Sequence, residues 1–113
     1  MPTIVEFYAD ARGREPVVEY IEALAQHGEQ RAVLGFERRL SQILAEGVPL
    51  GMPRDRIINR GARLYELRFG DHRIAYIQNE EVVCLLHALR KQTRKLDQRA
   101  EGAALRRAGR LFE

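Results

Sequence analysis

At 113 residues, 45% of them hydrophobic, the chain is sized for one domain, residues 1–113, with a modest core, and its apolar runs are too short for a membrane span or a signal peptide. Its single cysteine, Cys84, lies in an apolar run, which predicts a buried thiol, excludes an internal disulfide framework and fits a reducing cytoplasm. The net charge of +3 is unevenly placed, with 5 Lys+Arg against 8 Asp+Glu in residues 1–53 and 14 against 8 in residues 54–113, so the second half is the side for a polyanion or an acidic partner.

In chain order, Thr3–Tyr8 is rich in β-branched and aromatic residues and predicts a strand. After a polar connection, Pro16 suits the first turn of a helix, where its missing N–H is no loss. Val17, Ile21, Leu24 and Ala25 give that helix an apolar stripe, and Gly28 ends it. A second helix is predicted over Glu29–Glu46, with Val33, Phe36, Leu40, Ile43 and Leu44 on one side and Gly47 after it. The short break at His27-Gly28 makes the pair an antiparallel hairpin. Val48–Asp55 reads as a loop from its prolines and glycine, Arg56–Asn59 as a brief strand, and Arg60–Arg63 as a turn.

Residues 64–95 carry the strongest pattern. Leu64–Phe69 and His72–Ile77 alternate apolar and polar around a Gly70-Asp71 break, and Val82–Leu89 is a nearly unbroken apolar run that reads as the central strand. A two-residue loop at Gly70-Asp71 pairs Phe69 with His72, Arg68 with Arg73, Leu67 with Ile74, Glu66 with Ala75 and Tyr65 with Tyr76. A second loop at Asn79-Glu80 pairs Ile77 with Val82, Tyr76 with Val83, Ala75 with Cys84 and Ile74 with Leu85. Side chains two apart share a face. One face then collects Tyr65, Leu67, Phe69, Ile74, Tyr76, Val83 and Leu85 and is the core face. The other collects Glu66, Arg68, Arg73, Ala75, Cys84 and Leu86, with Arg90 beyond. Arg68 and Arg73 stand directly opposite, which is destabilising unless offset. An anionic ligand is one candidate for the offset and Glu66 is the other. Leu96–Phe112 predicts a weak final helix, since Gly102 and Gly109 each cost about 1 kcal/mol relative to Ala. The order of elements argues for an α+β domain, its helical hairpin covering the core face and the second face left open or partly covered.

Three blocks resemble the HigB-like, phage-derived branch of the RelE/ParE toxin superfamily: Leu64-Tyr65-Glu66-Leu67-Arg68-Phe69, then Arg73-Ile74-Ala75-Tyr76, then Leu85-Leu86-His87-Ala88-Leu89-Arg90-Lys91-Gln92-Thr93. The resemblance implies a RelE-like fold with an N-terminal strand and helical hairpin on an antiparallel sheet of three to four further strands. It implies the toxin of a type II toxin–antitoxin system, a ribosome-dependent mRNA endonuclease that needs no metal or cofactor. The ribose 2′-OH would attack the adjacent phosphate, leaving a 2′,3′-cyclic phosphate and a 5′-OH end, a reaction that calls for acid–base groups and cations around the phosphorane. The implied partners are mRNA, the ribosome and a helix-turn-helix antitoxin, through which alone DNA would be contacted. A gyrase-poisoning toxin of the ParE type and a non-catalytic toxin-like binding module are the alternatives.

Within that reading Arg68 and Arg73 are the phosphate clamp, because arginine binds phosphate through two parallel hydrogen bonds. Arg90 and Lys91 add charge or a proton at the end of the last strand, and Arg63, Arg94 and Lys95 follow the RNA or ribosome backbone. His87 and His72 are acid–base candidates by pKa, although the register turns both toward the core side. Tyr65 and Tyr76 read as a packed cross-strand pair, and His27 as a helix-end residue. The histidines and the lone cysteine have no zinc spacing, and the glycines have no phosphate-loop spacing.

Overall fold

A computed structural model describes residues 4–91 together with residues 106 and 107. Strand β1 (Ile4–Phe7) is followed by α1 (Pro16–Gln26), α2 (Gln30–Glu46), β2 (Asp55–Asn59), β3 (Leu64–Phe69), β4 (His72–Asn79) and β5 (Val82–Arg90). Pro16 does open α1, and Gly28, at φ +76°, reverses the chain into α2. Thr3 and the predicted final helix over 96–112 lie outside the described residues, apart from Arg106 and Arg107, which are helical.

The chain is α+β, with two helices packed on one five-stranded sheet of order β1-β5-β4-β3-β2. The sheet is mixed: β1 runs parallel to β5 at one edge, and every other neighbouring pair is antiparallel. β5 is therefore an interior strand, as its apolar run requires, but β4 and not β5 holds the middle. Among the described residues no helix is long and apolar enough to cross a membrane.

The β3–β4 hairpin has the predicted register throughout, from Phe69 opposite His72 to Tyr65 opposite Tyr76. The β4–β5 hairpin does not. β4 continues through Gln78 and Asn79, the turn is Glu80-Glu81, and Tyr76 lies opposite Leu85 instead of Val83. The slip is two residues, so side-chain parity survives, and all seven residues assigned to the core face are buried together there. Parity then breaks further along β5. Tyr76 pairs with Leu85 but Ala75 pairs with His87, so Leu86 is the extra residue of a β-bulge. Beyond it the faces exchange. His87 turns away from the helices, against the sequence register. Arg90 lands opposite His72 on the helix side, again against the sequence register.

On the helix side Val17, Phe36 and Ile43 pack on Tyr65, Leu67, Phe69, Ile74, Tyr76, Val83 and Leu85. Gly35 lies directly over Phe69 in this packing, where a Cβ would come to 3.4 Å of the Phe69 Cβ, an ordinary contact. Ala25 and Leu44, expected in the helical stripes, are exposed instead. Asp55, 1% exposed, ties the loop after α2 to this core: it accepts hydrogen bonds from the amides of Leu50 and Gly51, each at 2.8 Å, and from the Tyr76 hydroxyl at 2.5 Å. The second face is partly covered. Tyr8, Leu64, Ala75, Ile77, Cys84 and Leu86 form a smaller core there, and the arginines stand beside it.

Candidate functional site

The site is built from the alternation of β3 and β4. Position 66 and position 68 share the second face, and the tight Gly70 turn carries that parity into Arg73, which lies opposite Arg68. β2 pairs with β3 so that Arg56 lies opposite Glu66. Three arginines from three strands thus surround one carboxylate. Arg68 Nε is 3.2 Å from Glu66 Oε1, Arg56 Nε is 3.4 Å and Arg73 Nε is 3.9 Å. Arg56 also places Nη2 3.4 Å from Oε2. Glu66 therefore supplies the offset that the facing arginines need, and among the described residues three guanidinium groups face that one carboxylate.

The three guanidinium groups are not equally placed. The side chain of Arg56 is 36% exposed, that of Arg68 20% and that of Arg73 12%. Arg73 turns back along its own hairpin and donates from Nη1 to the carbonyls of Gly70 and His72, both at 2.9 Å. The backbone of Arg68 is held from two sides: its amide donates to the Arg54 carbonyl at 2.8 Å, and its carbonyl accepts from Arg39 Nε at 2.7 Å. The most exposed member, Arg56, is the residue that sequence reasoning missed. A signal for it existed, since folding 56–59 back through the Arg60–Arg63 turn brings Arg56 within reach of Glu66.

The bulge adds His87 to this face. Glu66 pairs with Ala75 and Ala75 with His87, so the three lie in one row across β3, β4 and β5. Two inter-strand steps separate Glu66 from His87, roughly 10 Å of backbone. Arg107 Nη1 donates to His87 Nδ1 at 2.7 Å and to the Leu86 carbonyl at 2.8 Å, and its guanidinium lies 5.4 Å from the centroid of the Tyr8 ring. Because Nδ1 accepts that bond, the neutral ring carries its proton on Nε2. Burial, and then the Arg107 charge, hold the His87 pKa below its ordinary value. Cys84, also on this face, is buried, and burial pushes its thiol up to about 11, which makes it inert as a nucleophile at neutral pH.

Other sequence candidates lie elsewhere. Arg90 is on the opposite side, bonded to Glu29 at 2.6 Å and 3.4 Å from Asp71, so it latches the end of β5 to the helical hairpin and leaves the arginine cluster. His72, 4% exposed, is stacked on Phe69 with ring centroids 5.2 Å apart and lies 2.7 Å from the Tyr20 hydroxyl. Lys91 is exposed, its amide donating to the Asp71 carbonyl at 2.7 Å. Arg63 is exposed in the β2–β3 turn next to Gln78, at the other end of the hairpin from Arg68 and Arg73. Arg94 and Lys95 lie outside the described residues. An open cleft of about 550 Å³ lies beside α2, lined by Glu29, Arg31, Gly35, Phe69, Asp71 and His72, and two of its carboxylates already hold Arg90.

A fixed, partly desolvated set of guanidinium groups can bind a phosphodiester and stabilise charge that builds on its non-bridging oxygens. Guanidinium stays protonated, so proton transfer needs another group. No family model matches the chain, and no curated protein matches it.

Proposed function

We propose that the chain is the toxin of a type II toxin–antitoxin pair of the HigB-like, RelE/ParE kind, acting as a metal-independent, ribosome-dependent mRNA endonuclease. The observation that carries this reading is the convergence of Arg56, Arg68 and Arg73 on one face of the sheet, within 3.9 Å of a single carboxylate. The residues of the resemblance support it: Glu66 and Arg68 come from its first block and Arg73 from its second. In this reading Arg56 and Arg68 contact the scissile phosphate, and Arg73, more covered, adds charge from behind. The 2′ oxygen forms its bond to phosphorus as its proton leaves to a base. The bond to the 5′ oxygen breaks, and that oxygen takes up a proton. His87, neutral with its proton on Nε2, is suited to donate a hydrogen bond to that oxygen, while the proton itself comes from water. A cognate helix-turn-helix antitoxin would restrain the toxin, and the site of action would be the cytoplasm.

Expression of the lone chain then arrests growth, and primer extension on mRNA from arrested cells finds new 5′ ends. Arrest without cuts removes the nuclease reading and points to the gyrase-poisoning alternative. The binding-module alternative draws on one observation: His72 is on the helix side, and Arg107 occupies Nδ1 of His87, so no histidine here offers a ready base. Under that alternative the lone chain binds RNA and leaves growth unchanged.

A further inference from the structure

Glu66 is 4% exposed, and a carboxylate that deep is tolerated only when paired. A single arginine would satisfy that need. Here three approach it, one from each of β2, β3 and β4. The register explains the gathering. Arg56 is directly across, Arg68 is two residues along the same strand, and Arg73 reaches in diagonally past Ala75, whose small side chain faces Glu66 on β4. Without the carboxylate, Arg68 and Arg73 would repel each other from facing positions, and Arg56 and Arg68 would each lose a hydrogen bond that orders the side chain, while Arg73 would keep its bonds to the Gly70 and His72 carbonyls.

We propose that Glu66 is a positioning residue that holds Arg56, Arg68 and Arg73 as a preorganised cationic cradle for a phosphodiester. The proposal rests on reading this face as an RNA phosphate site. Glu66 acts in two opposing ways. Its charge lowers the attraction of the cradle for a polyanion, and its hydrogen bonds to Arg56 and Arg68 fix where those two cations point, while it acts on Arg73 beside them through charge. Among the described residues three guanidinium groups stand against one carboxylate, an excess that attracts the singly charged phosphodiester. Fixed donors act on the transition state, where misplacement is most costly, and much less on the first encounter, which depends on net charge.

The test compares the full chain with Glu66→Gln and Glu66→Asp. Binding is read by anisotropy with a single-stranded RNA whose riboses are 2′-O-methylated, and cutting by primer extension on programmed ribosomes. Arginine order is read by the heteronuclear NOE of each Nε–Hε. Glu66→Gln should bind the RNA no more weakly than wild type, and about threefold more tightly at low salt, because one negative charge is gone. Its cutting rate at saturation should fall about tenfold or more, and the Nε–Hε groups of Arg56 and Arg68 should become mobile. Glu66→Asp keeps the charge with a shorter reach and should recover part of the rate and part of the order. Parallel loss of binding and cutting in a folded Glu66→Gln protein overturns the proposal, as does unchanged arginine order. If Glu66→Gln does not fold, Glu66→Asp decides by the same NOE, with unchanged order and rate counting against the proposal. If wild type neither binds nor cuts RNA, the RNA reading fails, while arginine order in the variants still decides whether Glu66 positions the cluster.

Discussion

Two buried acids, one on each face of the sheet, are satisfied in opposite ways. Asp55, on the helix side, is met by neutral donors: two backbone amides and the Tyr76 hydroxyl. Those bonds are local to one loop and one strand, and burial together with the Asp55 bond raises the Tyr76 pKa. Glu66, on the other face, is met by three cations drawn from three strands. Folding needs the first arrangement, because a loop amide left without a partner inside the core is costly. It does not need the second, since one cation would neutralise Glu66. Among the described residues, three cations gathered on one carboxylate are more than neutralising Glu66 requires, and that excess is what the proposed phosphate site draws on.

The contrast can be broken by exchanging the expected costs of the two faces. The largest effect is expected from Leu67→Ala, which empties a fully buried position of the helix-side core beneath α2 and should cost about 2–5 kcal/mol in urea unfolding. RNA binding by the fraction that stays folded should not change. Arg68→Ala should do the reverse. Cutting should fall by about 2–4 kcal/mol of transition-state stabilisation, with unfolding shifted by less than about 1 kcal/mol for a partly exposed ion pair. A variant that loses stability and keeps its toxicity would place the function elsewhere. Arg73→Ala is expected to fall between the two, because its Nη1 also closes the hairpin end through the Gly70 and His72 carbonyls. Tyr76→Phe should cost about 1–3 kcal/mol of stability by removing one donor from buried Asp55, again with RNA affinity unchanged. A matching loss of affinity would mean that the loop lock and the arginine face are coupled, which the adjacency of Asp55 and Arg56 on β2 makes a real alternative.

How much of this could be read beforehand depends on where the chain left only one solution. The β3–β4 register was legible because Gly70 supplies a tight turn and the flanking strands alternate cleanly, so Arg68 facing Arg73 followed from counting. The β4–β5 turn was placed one residue early, which slips the pairing by two, because Asn79 is the stronger turn former, while the true turn, Glu80-Glu81, holds no glycine. The bulge at Leu86 left no trace, since Leu85, Leu86, Ala88 and Leu89 are all apolar and either parity satisfies them. That ambiguity exchanged His87 and Arg90 between faces, and with them one member each of the candidate site and the helix-side latch. Arg56 was missed because a five-residue strand at the sheet edge has little pattern of its own. Asp55 bonding to Tyr76 is a contact between distant positions that no local rule reports.

The smallest effect separates the faces by pH. His72 on the helix side and His87 on the other both have pKa values held below the ordinary 6.5, in each case chiefly by burial. Asp71, Arg90, Glu29 and Arg73 surround His72, with the Tyr20 hydroxyl on its Nδ1, and Arg107 faces His87. Above pH 6.5 both rings are neutral in the folded and the unfolded chain, so their contribution is fully present. As pH falls below that value the unfolded chain takes up protons that the folded chain refuses, and stability is lost until the folded values are passed. Lowered carboxyl groups such as Glu46 act in the same direction, but only below their ordinary value of 4.5, so the window above it belongs to the histidines. Thermal unfolding between about pH 7.5 and 5.5 should therefore show a falling midpoint, flattened in part by His72→Phe and in part by His87→Phe. In His87→Phe the loss also frees Arg107 from the ring that accepts its hydrogen bond, so that variant should start from a lower midpoint at pH 7.5 and respond less to acid. A midpoint that rises on acidification would mean that at least one ring gains a proton on folding, which the contacts of Arg107 with Nδ1 and of Tyr20 with His72 oppose.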